Sequence, residues 1–255
     1  MSRHFFLYLY PSIYFIFVSK MYSLLKSILL LLVLLPFAAF AQEEADTSIL
    51  IDSLYREDQV YIGLTFNLLS NRVPDFSQNG LSAGVQIGFI RDMPINKARN
   101  KAIGIGLGLA LDTYNQNLFI GENSDGTAGE FDIVGNNSPS TGNRFTYYTL
   151  DVPLEYRWRT STPTKYSFWR IHVGTRIGYI FRFKSSYEEA DNNSIQTDIK
   201  ELNKLQYGPT FSFGYGAFNF QAYYGLNTLF NENASINNET VDLQVIKLGL
   251  IFYFL

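Results

Sequence analysis

The chain contains no cysteine, which removes disulfides, thiolate metal sites and thiol nucleophiles together. Charge is scarce: Asp, Glu, Lys and Arg make up 17% of the 255 residues, where an ordinary soluble domain has about 25%. Histidine is nearly absent, with only His4 and His172. The run AIGIGLGLALD, residues 102–112, excludes two further classes. Its apolar spacing of two does not fit the ~3.6-residue period of a helix. Three interior glycines would also cost a helix about 1 kcal/mol each relative to alanine. A dinucleotide-binding loop needs GxGxxG between a strand and a helix. Here the glycines read GxGxG and lead into Asp112, Thr113, Tyr114 and Asn115, with no helix start.

What the chain does have is aromatic residues, 16% of the total with 18 Tyr and 22 Phe. The apolar fraction of 47% is ordinary, so its arrangement carries the information. Residues 21–41, MYSLLKSILLLLVLLPFAAFA, have Lys26 as a positive flank, an aliphatic run and an Ala39-Phe40-Ala41 ending. That pattern predicts a secretory signal peptide, with residues 1–20 as an upstream extension. A permanent membrane anchor is the alternative, disfavoured by Pro11, Lys20, Lys26 and Pro36 and by the A-x-A ending. Of the 20 basic and 23 acidic residues, Arg3, Lys20 and Lys26 lie in residues 1–41, which leaves 17 basic and 23 acidic residues after cleavage. A net charge of −6 argues against nucleic acid as a partner.

Residues 42–58 are polar and read as a periplasmic lead-in; the domain of interest is 59–255. There, eight stretches alternate apolar and small or polar residues: QVYIGLTFNLL, GLSAGVQIGFI, AIGIGLGLALD, YTLDVPLEYRW, FWRIHVGTRIGYIFRF, LQYGPTFSFGY, FNFQAYYGLNT and VIKLGLIFYF. Segments of roughly ten residues with this period suit tilted strands crossing a bilayer. A soluble sandwich also alternates, but dense glycine on a water-facing side would weaken strands for no gain. Inside a narrow barrel, small residues make room for large ones opposite. Aromatics gather at strand ends (Tyr147, Tyr148, Trp158, Trp169, Tyr223, Tyr224, Phe252, Tyr253, Phe254), as in lipid-interface girdles.

The prediction is an all-β, eight-stranded, antiparallel, up-and-down transmembrane β-barrel in the cell outer membrane, with both termini in the periplasm. The outer connections then fall near 70–79, 113–143, 184–203 and 230–239, and the shorter inner ones near 92–101, 160–166 and 215–218. This is the loop asymmetry of outer-membrane barrels.

Thr149-Leu150-Asp151-Val152-Pro153-Leu154-Glu155-Tyr156 resembles the L-x-[IV]-P-L strand of the PorT-like outer-membrane β-barrel family. Gly174-Thr175-Arg176-Ile177-Gly178-Tyr179 resembles that family's following strand, and Ile246-Lys247-Leu248-Gly249-Leu250 with Phe252 and Phe254 resembles its closing strand. The resemblance covers about residues 58–255 and departs from the family's pattern at Leu255, where an aromatic last residue is usual. It implies an outer-membrane location and a role linked to protein secretion or labelled porin-like.

The candidate functional residues are the charges predicted to face the interior: Asp151, Glu155, Arg157, Arg170, His172, Arg176, Arg182, Asp242 and Lys247. A hairpin register in which paired residue numbers sum to 327 sets Glu155 opposite His172, Asp151 opposite Arg176, and Arg157 opposite Arg170. These charges read either as an ion-pair network holding a small barrel together or as a gate whose pairs exchange partners. His172, predicted near the periplasmic end, is the sole imidazole left after export, so a Ser-His-Asp enzyme is disfavoured. Residues 121–132 partly resemble a calcium loop through Asn123, Asp125 and Asp132, although Gly121 stands where Asp is expected. No cofactor and no resident metal are expected. The expected function is a non-catalytic envelope- or secretion-associated binding module with a side-chain-filled lumen; the alternative is a small porin-like channel. Expected partners are outer-membrane lipid, the barrel-insertion machinery and an envelope or secretion protein, around a monomeric barrel.

Overall fold

The computed structural model describes residues 58–70, 73–122, 129–135, 140–160, 168–189 and 193–254. The segments expected as an extension (1–20) and a signal peptide (21–41), and nearly all of the expected lead-in (42–58), lie outside them. Eight long strands build the wall: β1 (Gln59–Ser70), β2 (Ala83–Pro94), β3 (Lys101–Asn115), β4 (Ser140–Arg159), β5 (Trp169–Glu189), β6 (Leu205–Tyr215), β7 (Phe218–Thr228) and β8 (Gln244–Phe254). Each pairs antiparallel with its neighbour in sequence, and β1 pairs with β8 from Val60↔Phe254 to Ser70↔Gln244. The sheet is therefore a closed, all-β, eight-stranded barrel.

Its sidedness follows from the pleat, since alternate side chains leave opposite faces of a strand. Val60, Ile62, Leu64 and Phe66 of β1, Val85, Ile87 and Phe89 of β2, and Ile105, Leu107 and Leu109 of β3 are exposed on the outer wall. The same holds for Leu150, Val152 and Leu154 of β4 and for Phe211 and Phe213 of β6. A continuous apolar exterior on this scale marks a surface built for contact with something other than water.

The glycines of 102–112 face inward and leave room for specific side chains. A Cβ on Gly108 would collide with the Tyr61 hydroxyl, and one on Gly104 with the Arg157 stem and Ile90. Pro153 of β4 has no N–H to donate, and the β3–β4 ladder is interrupted beside it, between the pairs Ile105↔Leu154 and Gly108↔Asp151.

One end of the barrel has short connections. The β6–β7 turn is two residues, with Gly216 at φ +59°, a conformation that favours glycine. The other end is elaborate. Here β4 begins at Ser140 and β5 runs on to Glu189, so parts of the segments expected as loops (113–143 and 184–203) are paired strand. Asn193–Gln196 adds a short strand to the upper edge of β5. Hairpins form at Leu118–Glu122 with Gly129–Ile133 and at Ser235–Ile236 with Glu239–Thr240.

Three expectations are corrected. The β4–β5 hairpin pairs Arg157↔His172, Glu155↔Gly174 and Asp151↔Gly178, a register two residues away from the expected one. Alternation fixes which face a residue takes but cannot separate registers that differ by two. Next, the β4–β5 register shifts between Tyr148↔Arg182 and Thr149↔Ile180, leaving Phe181 as an extra residue. A bulge of one residue inverts the facing of everything beyond it, so Arg182 is exposed on the outer wall and Phe183 is buried. Finally, Asp242 precedes β8 and is exposed, with the Thr240 hydroxyl donating to its carboxylate, so it is no interior charge.

The aromatic girdle is also divided. Tyr148, Trp169, Tyr224 and Phe254 are exposed outside, whereas Tyr147, Tyr223 and Tyr253 are buried inside. Adjacent residues of a strand cannot share a face.

Candidate functional site

The interior is filled in layers. Nearest the short turns, Asp92 is completely buried between two guanidinium groups. Arg157 donates to one carboxylate oxygen at 3.0 Å, and Arg159 donates to the other at 2.8 Å. Arg157 also donates to the Gln59 side-chain oxygen. Glu155 lies 3.7 Å from Arg157 and 3.6 Å from Nδ1 of His172, which is 3.3 Å from the Tyr253 hydroxyl. Arg170 lies over the Phe168 ring at 4.2 Å and donates to the Gly216 carbonyl, so it anchors the β6–β7 turn.

In the middle layer, Arg176 lies 3.7 Å from Asp151 and donates to Gln86 at 2.5 Å. Gln86 donates in turn to Gln221 at 2.6 Å, and Gln221 donates to the Leu250 carbonyl at 3.1 Å. This chain links β5, β2, β7 and β8 across the interior. Above it, Lys247 donates to Asp112 at 2.5 Å, and Asn67 donates to the other Asp112 oxygen at 2.9 Å. The Lys247 ammonium also sits between the Tyr147 and Tyr223 rings, at 5.8 and 5.6 Å.

The long-loop end is closed by an apolar cap. Tyr114 and Tyr147 share a hydroxyl hydrogen bond at 3.0 Å, and Phe145 stacks against Tyr114 and Phe183. Phe230 packs edge-on against Phe131, Phe145 and Phe183. Leu118, Ile120, Leu202, Leu229, Val241 and Leu243 complete the cluster. One space among these side chains, lined by Asp151, Arg176, Tyr223 and Lys247 among others, is about 20 Å³. A single water needs roughly 10–15 Å³ by a comparable measure.

Of the residues singled out in the sequence, Asp151, Glu155, Arg157, Arg170, His172, Arg176 and Lys247 are all buried in this interior. The expected partners of the two mixed pairs are still near one another, but as diagonal rather than directly opposed contacts. Asp92, Asp112 and Arg159 were missed. Parity alone would have found them: Asp92 continues the inward series 84, 86, 88 of β2, Asp112 the series 104, 106, 108 of β3, and Arg159 the series 153, 155, 157 of β4. In the calcium-like loop, Asn123 and Asp125 lie outside the described residues. Asp132 is exposed and accepts a hydrogen bond from the backbone N–H of Ile133.

This arrangement can hold a barrel rigid. Every charged layer is cross-linked between strands that are not neighbours, and the glycines opposite let those side chains reach across.

The sequence matches the outer membrane protein beta-barrel domain family over residues 40–231. No curated protein matches it. Among solved structures, it is similar to Ail, the attachment invasion locus protein of Yersinia pestis. The complex of Ail with the heparin analogue sucrose octasulfate aligns at 14% identity over 79% of this chain and 100% of that one, with a TM-score of 0.35. A second Ail structure aligns at 12% identity with the same coverage and a TM-score of 0.32. With a family match spanning most of its length, the chain belongs to the outer membrane protein beta-barrel domain family.

Proposed function

We propose that the protein is a non-catalytic, non-conducting module of the outer membrane, PorT-like in role, that binds an envelope or secretion component through its ends. The observation that carries this reading is the filled interior: ion pairs, a glutamine–arginine chain and an aromatic cap occupy successive levels of the lumen. Eight strands leave an interior that side chains can fill. In this reading residues 21–41 are removed on export, the insertion machinery places a monomeric barrel in lipid, both termini lie in the periplasm, and the long-loop end faces out of the cell.

Conductance of the purified full chain in a planar bilayer tests it, together with affinity capture from intact outer membranes. The expected result is a silent bilayer and an envelope protein recovered with the barrel. Sustained ion steps would replace this reading with the porin-like channel. Hydrolysis or acyl transfer lost in His172→Ala would replace it with an enzyme.

A further inference from the structure

The bulge at Phe181 points Arg182 and Lys184 away from the lumen, at the level where the apolar exterior ends. Below them, Leu109, Leu150, Tyr179 and Phe181 are exposed and purely apolar or aromatic. On the next rungs Tyr148 pairs with Arg182 and Thr146 with Lys184, while Thr113 of β3 pairs with Thr146. The Arg182 guanidinium lies over the Tyr148 ring at 5.9 Å, and the Thr113 and Thr146 hydroxyls are 3.1 Å apart.

These groups, with Arg144, line an outward-opening pocket of about 360 Å³, within the ~300–1,000 Å³ usual for small-molecule sites. Arg144 makes a surface ion pair with Glu188 at 3.5 Å, both side chains well exposed, and such pairs contribute little. Among the described residues no carboxylate pairs with Arg182 or Lys184. Three cations, the hydroxyls of Thr113, Thr146 and Ser186, and the Tyr148 ring as a floor, directly above a hydrocarbon-facing wall, form a surface complementary to a phosphate whose acyl chains descend along the barrel. Basic side chains at that depth are each drawn to anionic headgroups.

We propose that the β3–β4–β5 face binds a phosphate-bearing lipid headgroup of the surrounding leaflet, with Arg182 and Lys184 as its principal anchors. This rests on the apolar wall lying in the bilayer and is independent of whether the lumen conducts.

The full-length protein is reconstituted in phosphatidylcholine nanodiscs, and its association with fluorescent diphosphoryl lipid A and with the dephosphorylated lipid is measured. Preference for the phosphorylated form is expected, with a loss of roughly thirtyfold in Arg182→Gln/Lys184→Gln and retention in Arg182→Lys. Should the double variant fail to fold, Lys184→Gln alone, at an exposed site, still gives a partial loss. Equal association of both lipids, or association unchanged in folded variants, overturns the proposal. Complete competition by inorganic phosphate also overturns it, by assigning the pocket to a soluble anion.

Discussion

Asp112 of β3 and Lys247 of β8 are separated by 135 residues in the chain and by 2.5 Å in space. Their strands are not neighbours, because β2 and β1 stand between them, so the pair crosses the interior instead of running along the wall. Asp112→Ala strands a buried ammonium and should cost about 3–5 kcal/mol. Adding Lys247→Met should recover most of that loss. Urea unfolding in lipid vesicles measures both; fully additive losses would show that the two residues do not act as a unit.

The second prediction concerns the outer wall. Leu107 sits mid-strand on β3 and is exposed. Leu107→Arg should destabilise the inserted barrel by about 2–4 kcal/mol, as charge on a lipid-facing position does near the bilayer midplane. Arg182→Leu, at the rim, should be close to neutral in the same unfolding assay. If the two cost the same, the assigned depth of the wall is wrong.

A third concerns space. Gly108 and Gly88 both leave room for the Tyr61 ring. Gly108→Val should cost about 1–3 kcal/mol through overpacking, and much less once Tyr61→Ala has vacated the space. The favourable coupling of a double-mutant cycle is the readout, and a coupling near zero would refute the fit between glycine and ring.

A fourth concerns the cap. Phe230 is nearly inaccessible and touches three other rings. Phe230→Ala should weaken the cap by about 3–5 kcal/mol. Limited proteolysis should then cut the loops at the long-loop end while the barrel keeps its folded, heat-sensitive migration on gels. Unchanged loop cleavage would mean that the cap does not depend on this cluster.

The barrel was legible because a period of two survives any choice of register. Val60 through Phe66, or Gly104 through Gly108, sort themselves into faces without reference to a partner strand. Where reading failed, parity was broken or silent. The bulge at Phe181 left no local mark, since Phe181 and Phe183 are chemically alike and Arg182 suits an interior that already holds arginines. The register of Glu155 against His172 was silent because a shift of two preserves both faces. The cap was invisible for another reason. Leu118, Ile120, Phe131 and Phe230 are scattered through polar loops, and only the closed end of the barrel brings them together.

The seam between β1 and β8 has a consequence for biogenesis. Val60 meets Phe254, so the first stave of the wall waits for the last. Until β8 arrives, β1 and β7 each present a row of unpaired peptide groups that hydrocarbon cannot solvate. The wall is therefore complete only when all eight strands are present. A nonsense mutation anywhere ahead of residue 244 would yield not a weaker barrel but an open ribbon destined for degradation.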